Sequence, residues 1–180
     1  MATQRHCAAP VGDDPGPAAV HAGRVAPPST CWEADAGGGL MRAVPAAGRV
    51  DAEFVLTRPG LRRVRHPPAT VGAVGWIPLA AALPASAAPV YHGGSGSACG
   101  AFVAGIPPLA TTGPGDRRHN AGLIAARGAG LAAPARRITA GLLTRLLTDP
   151  APAGAAREVS GGTAAMPAPA DPAPRLETLR

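Results

Sequence analysis

The chain has 180 residues, a formal net charge of +6 and 46% hydrophobic residues, enough for one domain with a core but not for a second of ordinary size. Gly 24 and Pro 22 together make about a quarter of the chain, where low complexity competes with folding as a description, and with two Phe, one Tyr and two Trp any core consists of small side chains. All 17 basic residues are arginines, spread without a basic stripe or interleaved aromatics, which argues against nucleic acid as a partner despite the charge.

Residues 1–39 show no hydrophobic periodicity and are rich in Pro, Gly and Ala, so they read as a disordered leader. The opening Met1-Ala2-Thr3-Gln4-Arg5-His6-Cys7 meets no apolar stretch and is not a secretory signal. Residues 40–49 read as a helix containing Pro45, and Glu53-Phe54-Val55-Leu56-Thr57 as a strand. A second strand covers 70–74, a short helix 79–83, and a third strand 87–91, which ends on glycines. Helix 97–104 follows, then a short strand at 109–111, a helix at 120–127 closed by Gly128, and a helix at 139–147 with Thr139 as its N-cap. Between 150 and 174 lie Pro150, Pro152, Gly154, Gly161, Gly162 and further prolines, each a cost to helix formation. Residues 167–180 read as a Pro-rich tail with a short C-terminal helix. There is no internal repeat.

No Asp, Glu, Lys or Arg occurs between Arg65 and Asp116. A transmembrane segment is a poor account of this gap, because Pro78, Pro84, Pro89, Pro107 and Pro108 break every window of the roughly twenty residues that a spanning helix needs. A sheet covered on both faces is a better one, since its strands read as short continuous apolar runs. Apolar runs alternating with helical segments then predict an α/β fold with a parallel sheet flanked by helices. Cys7, Cys31 and Cys99 are odd in number and show neither Cys-x-x-Cys nor Cys/His spacing, so no zinc site or disulfide framework is expected, and a reducing cytoplasm fits.

Where strand 87–91 ends, His92-Gly93-Gly94-Ser95-Gly96 leads into a helix near Ser97. Such a turn gathers unpaired backbone N–H groups at the positive end of a helix, a place for an anion. Glycines let the backbone approach a ligand, Ser95 and Ser97 carry hydroxyls, and His92 adds a side-chain donor, so the expected ligand is a diphosphate. Taken alone, the stretch also reads as a flexible Gly/Ser turn. It is neither a Walker sequence nor Gly-x-Gly-x-x-Gly, and no Gly-x-Ser-x-Gly elbow of a hydrolase is present.

The blocks Gly75-Trp76-Ile77-Pro78-Leu79, Tyr91-His92-Gly93-Gly94-Ser95-Gly96-Ser97, Ala104-Gly105-Ile106-Pro107, Asp116-Arg117-Arg118-His119-Asn120-Ala121 and Gly128-Ala129-Gly130 resemble, in order and spacing, the C-terminal domain of GT-B glycosyltransferases. More narrowly, they resemble the erythromycin-type enzymes of actinobacterial natural-product pathways, which carry Gly-Trp-Val-Pro-Leu ahead of His-His-Gly-Gly-Ser-Gly-Thr. The resemblance covers roughly residues 40 to 166 and implies one Rossmann-like half of a GT-B fold. It implies that Trp76 and Pro78 contact the donor base, that His92, Gly93, Gly94, Ser95, Gly96 and Ser97 hold the diphosphate, and that Asp116 and Arg117 face the donor sugar. Arg117 replaces a glutamine of the family pattern and lacks its acceptor, leaving open a changed donor, a phosphate contact or exposure to solvent. Asn120 stands where the family starts a helix and is expected as a cap.

By the same resemblance, a UDP- or TDP-sugar is the co-substrate, transfer to a small-molecule aglycone inverts the anomeric carbon, and no cofactor or metal is required. The acidic pair Asp51 and Glu53 reads as a helix-to-strand turn rather than a metal site, and Arg62-Arg63-Val64-Arg65 as a solvated loop. The general base belongs to an acceptor domain for which these residues leave no room, so no catalytic residue is expected here, and a separate acceptor domain would have to act as a partner. The alternative is a truncated or decayed, non-catalytic and largely disordered remnant.

Overall fold

A computed structural model describes residues 29–33, 40–57, 67–74 and 77–167. In chain order these form strand β1 (Ser29–Glu33), a 3-10 turn (Leu40–Ala43) running into α1 (Val44–Ala47), β2 (Glu53–Thr57) and β3 (Val71–Val74). Then come α2 (Leu79–Ala82), β4 (Ala88–Tyr91), α3 (Ser95–Val103), β5 (Leu109–Thr111), α4 (Arg117–Arg127), β6 (Leu131–Ala133), α5 (Ala140–Thr148) and α6 (Pro150–Ala164). The described strands make one sheet in the order β3-β2-β1-β4-β5-β6, and every pairing is parallel. The α/β class expected from the uncharged centre is therefore the fold, and within that centre β4 and β5 are continuous buried runs.

The pleat divides the core into two clusters. Val90 and Leu109 face one side of the sheet with Val44, Ala47, Phe54, Leu56, Leu143 and Leu146. Their chain neighbours Tyr91 and Ala110 face the other with Ala98, Ala121 and Ile124. Successive strand residues point to opposite faces, so α1 and α5 cover one layer and α3 and α4 the other. Pro89 sits in an interior strand, where a missing N–H is normally excluded. The β4–β5 ladder begins only at Val90, so at Pro89 the strand has a partner on one side alone.

Three segments differ from the sequence-based expectation. The reading of 1–39 as an unstructured leader fails for Ser29–Glu33, which lie in the middle of the sheet, with Thr30 opposite both Phe54 and Ala88. Five residues between prolines and glycines carry no periodicity of their own; pairing on both sides supplies their hydrogen bonds. Residues 1–28, 34–39 and 168–180, and with them most of the leader and the expected helix of the tail, lie outside the described residues. Strand β6 has no counterpart in the sequence-based expectation, because Leu131-Ala132-Ala133 is too short and alanine-rich to signal a strand before β5 pairs with it.

The third difference is α6, a helix of 15 residues where Pro and Gly each count against one. Its prolines fall in the first turn, where N–H groups have no intrahelical partner. Asp149 caps it by accepting from the Ala151 N–H at 3.0 Å. Packing against α3 holds the rest, with the Ser160 hydroxyl donating to the Val103 carbonyl at 3.2 Å, while Glu158 pairs on the surface with Arg127 at the end of α4 at 2.8 Å. The glycines of α6 remain a cost. Gly161 is exposed, and a Cβ added there would meet nothing within 4 Å, so Gly161→Ala should stabilise the chain by about 0.5–1 kcal/mol. Thermal unfolding followed by circular dichroism checks this; an unchanged or lower midpoint would contradict the packing described for this turn.

Candidate functional site

The strand order reverses between β1 and β4: the chain runs from β1 outward to β2 and β3, then returns to β4 and continues through β5 and β6 on the other side. In open parallel sheets the crevice outside the carboxyl ends of the strands at such a switch point is where ligands bind. Strand β4 ends there at Tyr91, residues 92–94 turn, and α3 starts at Ser95. Helix α3 begins two residues earlier than the sequence indicates, so Ser95 and Gly96 belong to its first turn rather than to the loop. Its N-cap is Gly94, extended at φ −70 and ψ 144, with no side-chain cap. The N-cap residue therefore offers no side chain to the first N–H groups, which lie at the positive end of the helix dipole.

The turn is held in place by contacts that are distant in sequence. Gly93 has φ +93, and a Cβ there would stand 2.6 Å from the Thr111 carbonyl oxygen and 3.2 Å from Arg117 Cβ. Thr111 closes the end of β5, its buried hydroxyl donating to the Tyr91 carbonyl at 3.1 Å. Asn120 Nδ2 donates to the Gly93 carbonyl at 3.0 Å and to Asp116 Oδ2 at 3.2 Å. The His92 ring packs where a side chain on Gly94 would be, its Nε2 2.5 Å from that Cβ position. It also meets the Tyr91 ring edge-on, with centroids 6.0 Å apart. His92 and Ser97 are half-buried, whereas Ser95 and Gly96 are exposed, with nothing within 4 Å of a Cβ at Gly96.

His92, Gly93, Gly94, Ser95, Gly96 and Ser97 thus form one continuous turn and helix start. Asp116 and Arg117 come to it from the loop after β5. The Arg117 side chain does not simply face solvent: it is half-buried and runs from Gly93 to Gly113, with Cδ 3.0 Å from the Cβ position of Gly113. Asn120 is not a cap. Helix α4 starts at Arg117, three residues before the expected start, so Asn120 lies in the first turn of that helix and its amide reaches across to the glycine turn. Thr111 and the bridging role of Asn120 carry almost no signal in the sequence, beyond a hydroxyl at the end of an apolar strand.

Pro78 is exposed and stands as N-cap of α2, on the connection leaving β3, while Trp76 and residues 62–65 lie outside the described residues. Asp51 and Glu53 flank the start of β2, at the amino end of a parallel sheet whose carboxyl end carries the glycine turn. Among the described residues no three His, Cys, Asp or Glu side chains gather to hold a metal ion, and no helix is long and apolar enough to cross a membrane.

A family model described as erythromycin biosynthesis protein CIII-like, C-terminal domain, matches residues 41–179. Among curated proteins, the chain is 44% identical over 146 residues to the elloramycin glycosyltransferase ElmGT of Streptomyces olivaceus, covering 79% of this chain and 37% of that protein. To the 3-alpha-mycarosylerythronolide B desosaminyl transferase of Saccharopolyspora erythraea it is 36% identical over 132 residues, 70% of this chain and 31% of the relative. Among solved structures, the glycosyltransferase SnogD from Streptomyces nogalater superimposes with a TM-score of 0.74 at 34% identity, covering 87% of this chain and 43% of that one. The spinosyn rhamnosyltransferase SpnG complexed with thymidine diphosphate gives 0.76 at 28% identity, over 86% of this chain and 46% of that one. These neighbours are GT-B glycosyltransferases. The chain spans about a third of the length of these curated relatives.

Proposed function

The chain belongs to the erythromycin biosynthesis protein CIII-like C-terminal domain family, and from that premise we propose that it is the donor-binding domain of a glycosyltransferase, taking a TDP- or UDP-sugar for inverting transfer to a small-molecule natural product. The observation that carries this reading is the turn from His92 to Ser95 at the switch point of the sheet, leading into the uncapped N-terminus of α3. A solved relative complexed with thymidine diphosphate supports a thymidine nucleotide as the first ligand to test.

In this reading the diphosphate lies against the first turn of α3 beside His92, the base lies toward Trp76 and Pro78, and the sugar lies toward Asp116 and Arg117. An acceptor hydroxyl oxygen attacks the anomeric carbon. The bond from that carbon to the diphosphate oxygen breaks, and its electron pair leaves with the diphosphate. Charge grows on the leaving group during this step, and fixed N–H groups, a helix dipole and a histidine donor stabilise it without having to reorganise. The acceptor proton passes to a base outside this domain, on an acceptor-binding domain joined to this chain or supplied by a partner. The chemistry asks for no metal, and a cytoplasmic location accords with the cysteine pattern.

Calorimetric titration of the chain with TDP and with UDP tests the proposal, and a folded sample that binds neither would refute it. His92→Ala should weaken TDP binding by roughly ten- to a hundredfold, since a hydrogen bond to a charged group contributes about 1.5–3 kcal/mol. An undiminished affinity would remove His92 from the diphosphate site while leaving the α3 terminus in place.

A further inference from the structure

We propose that Asn120 is a positioning residue, one that sets the spacing between the diphosphate turn and the sugar-facing Asp116; this rests on the donor-domain reading above. Its amide lies between two groups that can only accept, the Gly93 carbonyl at 3.0 Å and the Asp116 carboxylate at 3.2 Å. Neither could face the amide oxygen, so the orientation is forced: Nδ2 uses one hydrogen on each partner. One rigid –NH2 group therefore joins two segments on different loops, one after β4 and one after β5.

Asp116 shows the other half of the argument. It is the N-cap of α4, where an aspartate ordinarily accepts from a backbone N–H of the first turn, yet it makes no side-chain cap bond. Its carboxylate is turned instead to Asn120. Gly93 is held in a backbone conformation that only glycine adopts readily, φ +93, with its carbonyl aimed at α4. Asn120 thereby keeps the uncapped end of α3 and the Asp116 carboxylate in fixed register, and a ligand spanning both meets two preorganised contacts.

The test measures binding of TDP and TDP-glucose by calorimetry, and of thymidine by saturation-transfer NMR, to the full chain and to Asn120→Asp and Asn120→Ser. Asn120→Asp keeps the shape of the side chain but sets a carboxylate against a carbonyl and a second carboxylate. The expected result is a TDP affinity lowered tenfold or more with thymidine binding unchanged, and a smaller gain from TDP to TDP-glucose than in the unaltered chain. A purely structural role would lower thymidine and TDP affinity together, through the folded fraction. Unchanged ratios in a folded variant would overturn the proposal, and if Asn120→Asp does not fold, Asn120→Ser carries the same comparison without added charge. An unaltered chain that ignores TDP refutes the donor-domain reading itself, and this inference with it.

Discussion

Gly93→Ala is expected to lower the thermal midpoint of the chain by roughly 6–12 °C and to abolish measurable TDP binding at concentrations that saturate the unaltered protein. Two costs add. A side chain at φ +93 is strained by about 1–2 kcal/mol. The new methyl group would also stand 2.6 Å from the Thr111 carbonyl oxygen, a backbone atom that cannot swing aside, and 3.2 Å from Arg117 Cβ; overpacking of this kind costs about 1–3 kcal/mol. Relief requires the turn to move away from β5 and α4. That movement breaks the Asn120 bond to the Gly93 carbonyl and re-aims the first turn of α3. Gly96→Ala is the control: it lies in the same helix start with nothing within 4 Å, and its melting should match or exceed that of the unaltered chain. Equal melting curves for both alanine variants would mean that the glycine turn is not held as described.

Phe54→Ala should be the most damaging substitution in the core, with a loss of about 3–5 kcal/mol. Phe54 is 1% exposed and is among the few large side chains in a cluster built mainly from alanine, valine and leucine. No neighbour of similar size can close the void. Against a total stability of about 5–15 kcal/mol for a typical domain, such a loss leaves the chain partly unfolded at room temperature if it starts near the lower end. Urea denaturation monitored by circular dichroism measures it. Phe54 packs on the face of the sheet opposite Tyr91 and the helix carrying the candidate site. The variant should therefore regain structure with ligand, by about 2.7 kcal/mol at a hundred times the dissociation constant. Loss of structure that TDP cannot restore would argue that the two faces of the sheet do not fold independently of the site's geometry.

The neighbours of the candidate site are legible in the sequence to different degrees. The turn from His92 to Ser97 can be read because its chemistry is contained in six consecutive residues, and the flanking blocks identify the family. Arg117 can be read as a departure from that family, but not as a side chain lying along Gly93 and Gly113. Asn120 reads as a cap and is not one, because the start of α4 depends on the loop after β5, and helix ends are where local signals are weakest.

The sequence by itself determines what short range decides: the buried runs of β4 and β5, the Thr139 side chain accepting from the Leu142 N–H at 3.2 Å, the left-handed Gly128 that ends α4, and a glycine where the backbone must turn beside the His92 ring. Each follows from the sterics or hydrogen bonding of a few adjacent residues. Tertiary structure alone decides that Ser29–Glu33 become an interior strand, that α6 forms through five prolines and glycines, and that Asn120 meets Gly93 across 27 positions. In these cases the local preference is absent or opposed, and the free energy comes from partners brought in by the fold: two neighbouring strands, the surface of α3, and a carbonyl presented by a turn on another loop.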